Sequence, residues 1–122
     1  MYLDIHSSAR VPRGVDLLPP ICVAEECQLE PGAIVGSHTA LGKGCFVGEG
    51  ALIEGSILCE GVHVEKGAIV RNSIVGPRAV ICKDAIVSDF SVLGAGYVVD
   101  EGEILMNQKV WARQEGALVA GS

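Results

Sequence analysis

Few side chains in this sequence could do chemistry, and they fall into three groups. His38 and His63 are candidate general bases, since imidazole titrates near neutral pH. Such a base needs an orienting partner and a substrate within hydrogen-bond reach. Glu65 stands two residues from His63, but neighbouring exposed polar residues are common, and a solvated or interface histidine is the default reading. The five cysteines, 22, 27, 45, 59 and 82, are odd in number and form no close CxxC pair, so neither a zinc site nor a disulfide framework is expected. Carboxylates such as Glu49, Glu60, Asp84 and Asp100 are scattered one or two at a time, as solvated turn residues are.

The elements that position these groups follow from a repeat. Between Val23 and Leu105 a Val, Leu or Ile returns fifteen times, and twelve of the fourteen steps are six residues long. The other two, Ile53 to Leu58 and Val70 to Val75, are five. Two residues before each hit stands a mostly small side chain, among them Cys27, Ala33, Thr39, Cys45, Ser56, Ala68 and Ser91. A six-residue repeat of this kind predicts a parallel β-helix. The small residue and the hit point inward and the residue between them outward, which is the period of a short strand. A corner follows, with Gly at 32, 44, 50, 61, 67, 96 and 102 where positive φ is needed. Asp84 tolerates that conformation, whereas His38, Arg78 and Phe90 suggest altered corners.

Three units make a triangular coil, so the hits give about five coils, roughly 24 Å of height at one strand spacing per rung. The two five-residue steps lie seventeen residues apart, one shortened coil, and so fall at the same corner. Cys27 and Cys45 occupy the same inward slot of adjacent rungs. They would stack about 4.8 Å apart, within disulfide reach but poorly aimed for the required dihedral. A ladder of buried thiols is the expectation.

The outward residues sort into three columns. The first face carries Cys22, Ala40, Ile57, Ile74 and Val92, and the second Gln28, Phe46, His63, Val80 and Val98. The third carries Ile34, Leu52, Ile69, Ile86 and Ile104. Strands favour branched residues in any case, which accounts for scattered ones. An unbroken aliphatic stripe on an outer wall marks contact with protein, so this third face is expected to pack against another subunit or domain.

Nearly half of the 122 residues are apolar, yet aromatics make up only 4% and glycines number sixteen, which suits a solenoid core of small and branched side chains. The net charge of −6 argues against nucleic acid as a partner, since phosphates demand a basic footprint. No basic run suggests a membrane surface, and no stretch has the apolar length to span one. The first twenty residues contain Asp4, Arg10, Arg13 and Asp16 and no apolar run of signal-peptide type, so a reduced cytoplasm is the expected location.

Three segments are expected. Residues 1–20 read as a linker and N-terminal cap outside the repeat, with a short helix over Tyr2–Arg10 and extended connectors around Pro12, Pro19 and Pro20. Residues 21–111 form the β-helix, with Lys109–Trp111 as a last strand and Trp111 as a plug over the final rung. Residues 112–122 read as a loose tail.

The repeat resembles the left-handed β-helix of hexapeptide-repeat proteins, and the hand comes from that resemblance, since general crossover rules favour the opposite one. More narrowly, Ile53–Ile81 (IEGSILCEGVHVEKGAIVRNSIVGPRAVI) is similar to the C-terminal domain of sugar-1-phosphate nucleotidylyltransferases such as mannose-1-phosphate guanylyltransferase and glucose-1-phosphate adenylyltransferase. In that family shortened units recur one coil apart, as Gly55-Ser56-Ile57 and Asn72-Ser73-Ile74 do here. Gln108-Lys109-Val110-Trp111 resembles the family's closing Lys-Ile-Trp-Pro, with Ala112 in place of the proline. Tyr2-Leu3-Asp4-Ile5-His6 is like the helix that leaves the catalytic domain.

The resemblance implies assembly, interdomain contact or regulation for this part, with the chemistry in an N-terminal nucleotide-binding domain. The glycine-rich loop and metal-binding aspartates of that domain have no counterpart in this sequence, so no catalysis and no cofactor are expected of it. The partner expected for the third face is a second subunit or the catalytic domain. Other hexapeptide proteins are acyltransferases with a catalytic His near an inserted loop and acyl-CoA in an intersubunit groove. That alternative would use His38 or His63, but neither lies beside an insertion. The γ-class carbonic anhydrases share the fold and bind zinc through three His, two close in sequence. His6, His38 and His63 are too dispersed for that, and no metal site is expected.

Overall fold

A computed structural model describes residues 2–111; the expected tail over 112–122 lies outside the described residues. The described chain is all-β, a parallel solenoid of two- and three-residue strands arranged in three sheets of seven, five and six. Among these residues no helix is long and apolar enough to cross a membrane.

The register follows the repeat. On the first face Ile57 pairs with Ala40 and Ile74; on the second His63 pairs with Phe46 and Val80; on the third Ile69 pairs with Leu52 and Ile86. The aliphatic hits from Val23 to Val99 are at most 2% exposed and form one continuous core, with Leu105 at its C-terminal end. Each strand places its hit and the small residue two before it on the inner side, so neighbouring coils stack like on like. Backbone hydrogen bonds continue through the corners, as from Gly32 N to Gly14 O at 2.7 Å and from Gly44 N to Glu25 O at 3.0 Å.

Residues 3–20 differ from the expectation. Leu3–Ile5 is a strand, not part of a helix, and pairs in parallel with Ile21–Val23. Arg10 bridges to Gln28, and Asp16–Leu17 pairs with Ile34–Val35. Ile5, Val11 and Leu17 pack on the core together with Ala9 and Val15. The six-residue beat therefore begins at Ile5 and adds a sixth coil in front of the five. Pro12 lies outside any strand and Pro19-Pro20, joined by a cis bond, sits in a bend. Prolines at these places cost the sheets no hydrogen bond. A nine-residue isolated helix has no comparable source of stability, whereas Leu3–Ile5 gains a full ladder with its neighbour.

His38, Arg78 and Asp84 adopt the left-handed conformation of the glycine corners, with φ of 61° or 62°, so the altered corners expected at His38 and Arg78 are absent. The corner at Phe90 is altered, with Asp89 and Phe90 both at positive φ. Coil stacking imposes the turn and outweighs the steric preference of the side chain.

Both five-residue steps meet at the corner between the third and first faces, where Gly55 and Asn72 each make the turn alone. A third short step runs from Leu105 to Val110 at the same corner, with Asn107 at φ 55°. Val110 packs against the core, as does Tyr97, which fills an inward slot of the last coil. Trp111 is 57% exposed, so the end is covered by Tyr97 and Val110 and not by a tryptophan plug. The strand Lys109–Val110 directs Val110 inward, and Trp111, one residue further on, lies beyond it over Gly94.

Candidate functional site

The three histidines are held apart by the topology. His6 follows the first strand, and its Nδ1 lies 2.9 Å from the Ser8 hydroxyl. His38 stands at the corner between the third and first faces, its N–H donating to Pro20 O at 2.7 Å. His63 points outward from the second face beside Phe46, with ring centroids 5.5 Å apart. The structure thus brings no two histidines together, and among the described residues no cluster of His, Cys, Asp or Glu is arranged to hold a metal ion.

The thiols Cys27 and Cys45 do stack. Both are buried, and each donates to a carbonyl across the coil, Cys27 Sγ to Gly42 O and Cys45 Sγ to Cys59 O, at 3.1 Å in both cases. All five cysteines are free. The hydrogen bond with Cys27 and burial push the Cys45 thiol well above its ordinary range. Such a neutral, enclosed thiol is a packing residue and not a nucleophile.

The outer walls are the remaining place for function. On the third face Ile34, Leu52, Ile69, Ile86 and Ile104 form one column in parallel register, headed by Asp16. The first four are half-buried by stacking on one another, and Ile104 is 58% exposed. The first face is barer. Ile57 and Ile74 are 50% and 47% exposed, and beside them Phe90 is 73% exposed. These residues, with Val92, Gly55 and Asn72, line an apolar hollow of about 320 Å³.

The hollow has a local cause. At this corner the coils containing Gly55, Asn72 and Asn107 take one turn residue, but Val87 to Leu93 takes six steps, and both Asp89 and Phe90 have positive φ. Phe90 is therefore one residue more than the coils above and below it need, and it projects over the recess left by the two short corners. The sequence reading singled out the third face and missed this one. The signal was present in the step lengths, as a six-residue step at a corner whose neighbours use five.

Residues 5–115 match the family described as the GMPPB C-terminal domain. The chain belongs to that family. Its members are C-terminal domains of sugar-1-phosphate nucleotidylyltransferase type, and the solenoid described above fits a left-handed β-helix domain of that kind. No curated protein sequence matches it.

Among solved structures this GMPPB-type domain is similar to the acetyltransferase domain of PglB from Neisseria gonorrhoeae, at 18% identity and a TM-score of 0.84, over 94% of this chain and 56% of that one. It is also similar to PerB from Caulobacter crescentus, solved with CoA and GDP-perosamine, at 21% identity and a TM-score of 0.81, over 96% of this chain and 56% of that one. The GMPPB-type domain spans little more than half of each, and at these identities the likeness is one of fold.

Proposed function

We propose that this domain is a non-catalytic scaffold: the β-helix part of a sugar-1-phosphate nucleotidyltransferase of the cytoplasm, serving oligomerisation, contact with the catalytic domain, or regulation. The observation that carries this reading is the family match over residues 5–115. The geometry supports it in two ways. The candidate bases are apart, His38 at the corner between the third and first faces and His63 on the second face, and His63 has an aromatic ring beside it where a general base would want a carboxylate. The third face offers an unbroken aliphatic column from Ile34 to Ile104, of the kind that packs on protein.

The experiment is Ile69→Asp, which places a charge in the middle of that column while leaving the core hits untouched. The variant is expected to reduce the mass of the assembly measured by light scattering, or to release the catalytic domain in the full-length enzyme. A soluble variant with unchanged mass and unchanged interdomain contact would sink the contact role of this face.

The rival reading is a small acyltransferase with an intersubunit site near His38 or His63, in keeping with the fold shared with acetyltransferases. Acetyl-CoA binding that His38→Ala or His63→Ala abolishes would favour it over the scaffold.

A further inference from the structure

The hollow on the first face brings together an apolar floor, an aromatic ring and two polar groups that the fold leaves unused. Ile57, Ile74 and Val92 form the floor, and Phe90 stands over it. Phe90 N donates to Asn72 O at 2.9 Å, so the ring rises from the coil that follows Asn72. The ring is 73% exposed while its backbone sits at φ 64°, a strained conformation for an aromatic residue. With so little of the ring buried, packing within the chain does not account for it.

The polar groups are Asn72 and Asp89. The Asn72 side-chain oxygen lies in the space that a Cβ on Gly55 would take. The bare glycine thus lets the amide lean back onto the preceding coil, at the rim of the hollow. Among the described residues, neither that amide nor the Asp89 carboxylate makes a hydrogen bond or ion pair within the protein.

We infer that the hollow is a binding site for a nucleobase-type ring: a flat nitrogen heteroaromatic with an exocyclic amino group beside a ring nitrogen, as in adenine. The ring stacks against Phe90 and shields the aliphatic floor from water. Coils lie about 4.8 Å apart and stacked bases rise by about 3.4 Å, so one flat ring takes the place of the residue that the short corner at Asn72 lacks. The Asn72 amide accepts from the amino group and donates to the ring nitrogen, the bidentate pairing that asparagine makes with adenine. Asp89, next to Phe90 in the chain, favours an edge rich in donors over one lined with carbonyl oxygens.

Other ligand classes fit less well. A saccharide would press hydroxyls onto Ile57, Ile74 and Val92 and lose their water. A free phosphate finds no unpaired base, since Arg71 is held by Glu54 at 3.2 Å, and Asp89 repels it. A hydrocarbon ring would cover Asn72 and leave its amide without a partner.

This site uses neither the third face nor the candidate bases, so it stands or falls apart from the scaffold reading. Isothermal titration calorimetry of the 122-residue chain against adenosine is the test. Adenosine should bind with a dissociation constant of about 0.1 mM, the range that ligand-efficiency limits set for a neutral ligand of its size. Uridine, with a carbonyl edge, and indole, with no pairing edge, should each bind at least about tenfold more weakly. Phe90→Ala should weaken adenosine about tenfold or more, and Phe90→Tyr should stay within about threefold of the parent. Asn72→Gly keeps the positive φ but should bring adenosine and uridine to within about threefold of each other. His63→Ala should change nothing. A cooperative thermal melt confirms the fold of each variant. Absence of binding up to millimolar adenosine would overturn the inference. So would uridine or indole bound as tightly as adenosine, full affinity in Phe90→Ala, or unchanged selectivity in Asn72→Gly.

Discussion

The backbone N–H of Ser73 donates to the hydroxyl of Ser56 in the preceding coil at 3.1 Å, at the corner where both coils are one residue short. Ser56 in turn donates to Glu54 O at 2.8 Å. At the six-residue corners the N–H of the equivalent inward residue closes the turn on the carbonyl three residues back, as from Ala33 N to Glu30 O and from Ala68 N to Glu65 O, both at 3.1 Å; here a buried hydroxyl serves instead. The same device recurs at the third short corner, where Gln108 N donates to Ser91 Oγ at 3.0 Å.

Ser56→Ala should therefore destabilise the domain by about 1–3 kcal/mol, the cost of a buried N–H left without an acceptor. Thr39, in the same slot one coil earlier, has a buried hydroxyl with no partner. Thr39→Val keeps the shape and removes that orphan, so it should be neutral or stabilising. Urea unfolding of both variants checks the contrast, and equal losses would refute the role given to Ser56.

At Phe90 the backbone sits at φ 64° while the ring is largely in solvent. Phe90→Gly removes a steric cost of about 1–2 kcal/mol and adds back about 0.5–1 kcal/mol of unfolded-chain entropy. The domain should melt slightly higher. A lower melting temperature would show that the ring contributes to the fold itself.

Gly76 lies where consecutive coils approach closely, its N–H donating to Leu93 O at 2.7 Å. A Cβ there would stand 2.7 Å from the Gly94 carbonyl carbon and 2.7 Å from Leu93 O. Because the obstacle is backbone of the next coil, Gly76→Ala should cost about 1–3 kcal/mol through overpacking. Denaturant titration gives the answer, and a neutral result would mean that the coils can separate locally at little cost.

Thiol labelling followed by peptide mass mapping should sort the cysteines by coil position. Cys27 and Cys45 are at most 1% exposed and should react only when the chain unfolds. The Cys82 thiol is raised by desolvation first, and then by the nearby Glu65, Asp100 and Glu101. A raised value leaves less thiolate at a given pH, so its labelling should keep accelerating as pH climbs past the usual thiol range. Glu65→Gln should quicken it at fixed pH. Labelling of Cys27 or Cys45 in the native protein at the Cys82 rate would contradict the packing.

The sequence by itself determined the solenoid, because each coil sees only its neighbours and a six-residue beat leaves little freedom in how strands stack. It also placed the short steps at one corner and the five residues from Ile34 to Ile104 in one column, since a repeating register converts spacing directly into position. The N-terminal coil escaped because its beat, Ile5, Val11, Leu17, is interrupted by Pro12, Pro19 and Pro20, which break helices and central strands but are harmless at corners. The tertiary structure decided what depends on neighbouring coils together: that corner residues such as His38 and Arg78 accept positive φ, and that Tyr97 and Val110, not Trp111, cover the last rung. It also decided that Phe90 stands over a recess on the first face. Exposure is a property of stacked coils, and no single repeat contains it.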